Sequence, residues 1–123
     1  MGRMPFFNTT NTTKRNTKMA YIGKVTLTNE WAKLEDLIKA QVDGQSAFAF
    51  DTSKEYGIQV DTPRGPYIFG AYLCSVASEP AETDAGEHLE AEQYAIYQPE
   101  SGSDLWVRTR GSAAEVKLSV SVK

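Results

Sequence analysis

The feature that most constrains this chain is a period of two in its apolar residues, repeated in short runs with turn signals between them. In Val116–Val122 the residues Val116, Leu118, Val120 and Val122 fall on one side of an extended chain. Lys117, Ser119 and Ser121 take the other. Tyr21–Thr28 (YIGKVTLT), Tyr56–Val60 (YGIQV) and Asp104–Thr109 (DLWVRT) repeat the pattern, and Tyr67–Val76 (YIFGAYLCSV) is apolar enough for a central strand. Gly, Pro, Asn and Asp clusters separate these runs, as in Thr62-Pro63-Arg64-Gly65-Pro66 and Pro99–Ser103. Strands spaced every 8–12 residues or so predict two packed sheets, a single mainly-β domain of β-sandwich or small jelly-roll type. The final pair, Asp104–Thr109 with Ala114–Val122, reads as a hairpin through Arg110-Gly111-Ser112.

One stretch has a different period. From Glu30 to about Ala40, Trp31, Leu34, Leu37 and Ile38 recur at helical spacing, with Lys33, Glu35, Asp36 and Lys39 opposite. Thr28 or Asn29 would cap this helix, and Asp43-Gly44 would end it. The expectation is one short amphipathic helix lying across an end or open edge of the sheets, anchored by Trp31. Glu79–Glu92, with six acidic residues and no Lys or Arg, reads as a solvated loop until Leu89–Tyr97 recovers strand character.

The first nineteen residues stand apart. They hold Arg3, Lys14, Arg15 and Lys18, no acidic residue, and one apolar cluster, Pro5-Phe6-Phe7. The whole chain carries a formal charge of −3 and this segment +4, which leaves −7 on residues 20–123. The expected organisation is therefore an extended basic arm, 1–19, on a compact acidic β-sandwich domain, 20–123. As an interface element the arm would use Phe6 and Phe7 as an apolar plug, and Lys14, Arg15 and Lys18 against acidic neighbours. Met19 is the alternative natural start, with the arm then a leader ahead of the first strand. The segment lacks the apolar stretch of a secretory signal, and no apolar stripe gives it the amphipathic helix of a mitochondrial one.

Residues that carry chemistry are sparse. His88 is the only histidine and sits among carboxylates without a recognisable catalytic partner. Glu79, Glu82, Asp84, Glu87, Glu90 and Glu92 offer oxygen donors, but not the alternating Asp pattern of a calcium loop. Cys74, the single cysteine, lies in the most apolar run and reads as a core residue, so neither a disulfide nor a cysteine metal cluster is expected. No metal, no cofactor and no catalytic residue is assigned, and the expectation is a non-enzymatic protein. By alternation Trp106 and Arg108 share one face of their strand, a pairing suited to a subunit interface or a sugar ring. The acidic body disfavours nucleic acid as a partner, and no run approaches the ~18 apolar residues of a membrane span.

Several of these segments occur together in a recognisable order. They are Trp31-x-x-Leu34-x-x-Leu37-Ile38, then Ile58-Gln59, and an apolar strand ending at Ala77-Ser78-Glu79-Pro80. Gly102-x-x-Leu105-Trp106-Val107-Arg108 follows, and Gly111-Ser112-Ala113 leads into Val116–Ser119. In this the body, residues 21–122, resembles small β-sandwich virion proteins of tailed bacteriophages. It departs from them after Gln59, where VDTPRG is longer than the usual Asn-Arg-Gly turn. The resemblance implies a virion location and a structural role in capsid decoration, a head fibre or a head–tail attachment. It also implies other virion proteins as partners and a homo-oligomer, with a trimer favoured. A carbohydrate-binding module, with host glycan as ligand, is the alternative.

Overall fold

The computed structural model describes residues 8–10, 20–61, 70–90, 93–110 and 116–123. Among these residues nine strands and one helix follow in chain order: β1 (Asn8–Thr10), β2 (Ala20–Leu27), β3 (Ala32–Lys33), α1 (Leu34–Gln41), β4 (Tyr56–Val60), β5 (Gly70–Val76), β6 (Glu87–Glu90), β7 (Tyr94–Tyr97), β8 (Asp104–Thr109) and β9 (Val116–Val122). They form two antiparallel sheets, one ordered β1-β7-β4-β9-β2 and the other β3-β8-β5-β6. This is the mainly-β, two-sheet sandwich that the alternation predicts.

The core lies between the sheets and is built from the in-facing residue of each alternating pair. Val25, Leu27, Ile58, Val60, Ala95, Tyr97, Val116, Leu118 and Val120 come from the five-stranded sheet. Ala71, Leu73, Leu89, Leu105 and Val107 come from the other. All are at most 2% exposed, so burial of this apolar surface is the main force holding the layers together. One end is closed by edge-to-face aromatic contacts: Phe50 lies 4.7 Å from Tyr56 and 5.3 Å from Tyr97 between ring centroids, and 5.0 Å from Phe48. Phe48 and Phe50 belong to a short apolar run, residues 46–50, that lies outside the strands.

Five expectations are corrected. The helix spans Leu34–Gln41, not Glu30–Ala40, because Ala32 and Lys33 pair with Val107 and Trp106 of β8. Sheet pairing overrides the helical spacing of Trp31, which lies outside the helix and does not anchor it. The anchors are Leu34 and Ile38, both fully buried and one helical turn apart, and they bridge β2 and β8 at the open edge of the sandwich. The N-cap position falls to Lys33 with no side-chain cap; Thr28 Oγ1 instead accepts from Glu30 N at 3.3 Å in a local turn. The acidic run is not all loop, since Glu87–Glu90 pairs with Gly70–Leu73 as β6.

The last correction concerns the C-terminal strands. β8 and β9 are not a hairpin pair: β8 pairs with β5 and β3, and β9 with β4 and β2. Each strand has one apolar face, and those faces gain more by meeting across the core than by lying side by side in one sheet.

Candidate functional site

Strand alternation sorts the four-stranded sheet into two faces. Ala71, Leu73, Leu89, Leu105 and Val107 point inward, which sends Tyr72, Cys74, His88, Trp106 and Arg108 to the outer face. Register then sets neighbours: Cys74 lies opposite Trp106, and Tyr72 lies between Arg108 and His88. Trp106 and Arg108 share a face, as alternation implies, but each has a different partner. The Lys33 ammonium stands 5.6 Å from the Trp106 ring, and the Arg108 guanidinium 5.8 Å from the Trp31 ring. Arg108 Nε also donates to the Thr109 carbonyl at 3.3 Å. The outer face is therefore a layer of alternating aromatic and cationic groups.

The acidic 77–86 loop folds back on this layer. Trp31 Nε1 donates to the Glu82 carbonyl at 3.0 Å, which ties the loop to the far side of the sheet. Gly86, at φ +85°, lies so close to β5 that a Cβ on it would meet the Leu73 carbonyl and Cys74. Cys74 is consequently 7% exposed although it faces outward, and burial pushes its thiol above the ordinary range. That position makes Cys74 an inert packing group, with its thiolate disfavoured.

His88 occupies the β6 side of the same face, its ring 5.3 Å from that of Tyr72. Burial lowers its pKa below 6.5, the Arg110 charge lowers it further, and Glu90 partly opposes both. The imidazole is neutral near pH 7. His88 Nε2 and Trp106 Nε1 are both buried without a hydrogen-bond partner among the described residues. A histidine neutral in the fold and more basic in the unfolded chain makes stability fall as pH drops below 6.5. We expect His88→Gln to flatten that part of the stability curve and to leave it unchanged above pH 7.5. Urea unfolding of both proteins from pH 8 to pH 5 tests this; parallel curves would show that His88 is not the group responsible.

Away from this face, a cleft of about 170 Å³ opens where α1 starts. Lys33, Glu35, Glu100 and Asp104 stand around it, with Phe50 and Tyr97 among its apolar walls. Lys33 pairs with Asp104 at 3.5 Å, and Glu35 Oε2 accepts from Phe50 N at 2.9 Å. Burial pushes the Tyr97 phenol up to about 12, so it remains a neutral hydroxyl. The alternation of single strands carries no signal for this cleft, because its walls come from four separate segments. Among the described residues no three His, Cys, Asp or Glu side chains converge as metal ligands.

Phe6, Phe7, Lys14, Arg15 and Lys18 lie outside the described residues. Of the first nineteen residues, Asn8–Thr10 are described, and they form a strand: β1 pairs antiparallel with β7, Asn8 opposite Ile96, Thr9 opposite Ala95 and Thr10 opposite Tyr94. Comparison of the chain with protein-family models, with curated proteins and with solved structures finds no match.

Proposed function

We propose that this protein is a non-enzymatic structural subunit of a bacteriophage particle, one that decorates the capsid, builds a head fibre or joins head to tail. The observation that carries this reading is the strand β1. A basic, acid-free segment contributes main-chain pairing at the rim of a sheet whose own domain carries a charge of −7. Pairing of that kind is independent of side-chain identity and suits an element that fastens one subunit to another. The cation–aromatic layer of Trp31, Lys33, Trp106 and Arg108 supplies a second surface, rich in the residue types that dominate protein interfaces.

A truncated chain, residues 19–123, is the test. We expect it to keep its β-sheet circular dichroism and to lose at least nine-tenths of its binding to particles of the encoding phage, measured by co-sedimentation. Full occupancy by the truncated chain would overturn the proposal. A second reading, carbohydrate binding, is favoured by the cleft, whose carboxylates and apolar walls offer the acceptors and CH-packing surface that one sugar ring needs. Retention of glycan binding by the truncated chain, with no particle binding in either form, would favour that reading.

A further inference from the structure

Each of the two sheets has two rims, and three of the four are protected by the body itself. At β2, the Gln41 side chain acts as a substitute strand: its Oε1 accepts from Thr26 N at 2.8 Å, and its Nε2 donates to Thr26 O at 3.1 Å. A bulge between Tyr21 and Gly23 interrupts the rest of that rim, and Lys24 places a charge on it, paired across the sheet with Asp61 at 2.6 Å. β3 is two residues long. β6 carries Glu87 and Glu90, and Gln93 Oε1 accepts from Glu90 N at 2.8 Å. The fourth rim differs. β7 reads Tyr-Ala-Ile-Tyr, has no charge and no proline, and is covered by β1. An uncharged apolar strand at a rim is a template for another strand, and here the N-terminal segment is what it accepts.

The place of β1 bears on which chain supplies it. β1 and β2 lie at opposite rims of the five-stranded sheet, separated by β7, β4 and β9. Four inter-strand gaps put them about 19 Å apart. Because every pairing in the sheet is antiparallel, β1 and β2 run the same way, so the link from Thr10 must also return along the strand direction to reach Ala20. Ten Cα steps reach at most about 33–36 Å. That length permits closure on the same chain, and it equally permits the segment to reach the β7 rim of a neighbour docked beside β2. In the second case the three intervening strands need not be cleared. Tyr21, 62% exposed at the start of β2, is the one large hydrophobic side chain that stands exposed among the described residues, and it lies where such a neighbour would dock.

We infer that the β7 rim is a strand-acceptor site whose occupant in the assembled protein is the Asn8–Thr10 segment of a second copy of this chain. The inference rests on the reading of the N-terminal segment as an attachment element and names its first partner. Each copy gives a strand through its N-terminus and receives one at β7, so the contact is head-to-tail. Such contacts close into rings, of which a trimer is a small case. The pairing is three residues long, so it opens readily and exchange needs no unfolding of the body.

The test uses full-length chains. Asn8→Cys and Ile96→Cys occupy facing positions, and Cys74 is buried, so the introduced thiols are the reactive ones. When the two single variants are mixed and oxidised, we expect a covalent dimer joining one of each, in yield at least fivefold above either variant alone. Light scattering of the wild type should give a multiple of 13.6 kDa. If the doubly substituted chain closes its disulfide within one chain, and the mixture gives no heterodimer, exchange is ruled out while the attachment role stands. Absence of any disulfide in the doubly substituted chain would remove the β1–β7 pairing, and with it the inference.

Discussion

Gly86→Ala is expected to destabilise the protein by roughly 3–5 kcal/mol, the sum of backbone strain and a steric clash. Gly86 has φ +85°, where a side chain is strained whatever the space around it. A Cβ there would also collide with the Leu73 carbonyl and approach Cys74 Cα and Cβ at 2.9 Å. The carbonyl belongs to the middle of β5, a central strand paired on both sides, so it cannot move aside without disturbing β6 and β8. Gly44 and Gly102 provide the comparison. Their φ values are +81° and +86°, yet nothing lies within 4 Å of an added Cβ. Gly44→Ala and Gly102→Ala should therefore show only the backbone cost, about 1–2 kcal/mol. Urea midpoints at constant slope measure all three. Equal losses would mean that the loop moves off β5 at little cost and that the close approach is not a constraint. A larger loss at Gly86, together with a change in tryptophan emission, would show the loop fastened over the face that holds Trp31 and Trp106.

The parts of this fold legible in the sequence are those where one local period decides the outcome. Alternation along β4, β8 and β9 places Ile58, Leu105, Val107, Leu118 and Val120 inward, and the structure has them there. Partner choice is another matter. β8 and β9 are close in sequence and both alternate, but alternation says which face is apolar and not which sheet a strand joins. Trp31 shows the same gap from the helix side, because its spacing from Leu34 and Ile38 is helical while the chain at Ala32 and Lys33 is claimed by the edge of β8. β6 is hidden by its charge, as Leu89 is its one buried residue and the carboxylates of Glu87 and Glu90 stand at its two ends. The outer aromatic–cationic face was half visible: the common orientation of Trp106 and Arg108 follows from strand period, whereas their partners Lys33 and Trp31 come from chain some 70 residues away.

Ile38→Ala carries the other large effect, a loss of about 3 kcal/mol. Ile38 is fully buried, and with Leu34 it fastens α1 to both sheets. A helix of eight residues has no stability of its own in water, so α1 exists because those two side chains are held. Removing three methyl-sized groups leaves a cavity beneath the helix, and the nearby Leu37, half-buried on the flank, cannot turn to fill it. Leu37→Ala should accordingly cost less, about 1 kcal/mol, in proportion to the apolar area it buries.

The consequence extends beyond the core. Gln41, which satisfies the Thr26 backbone, sits on the last turn of α1, and Val42 just beyond it packs on Gly23. A loosened helix therefore uncovers the β2 rim as a free template. We expect Ile38→Ala to show faster amide exchange at Thr26 and self-association that increases with concentration. In chains truncated to residues 19–123, which lack β1, that association should still exceed that of the truncated chain with Ile38 in place, because it arises at the rim opposite β7. Association lost on truncation would instead assign it to the N-terminal segment, and would leave α1 with a packing role and no part in guarding the sheet edge.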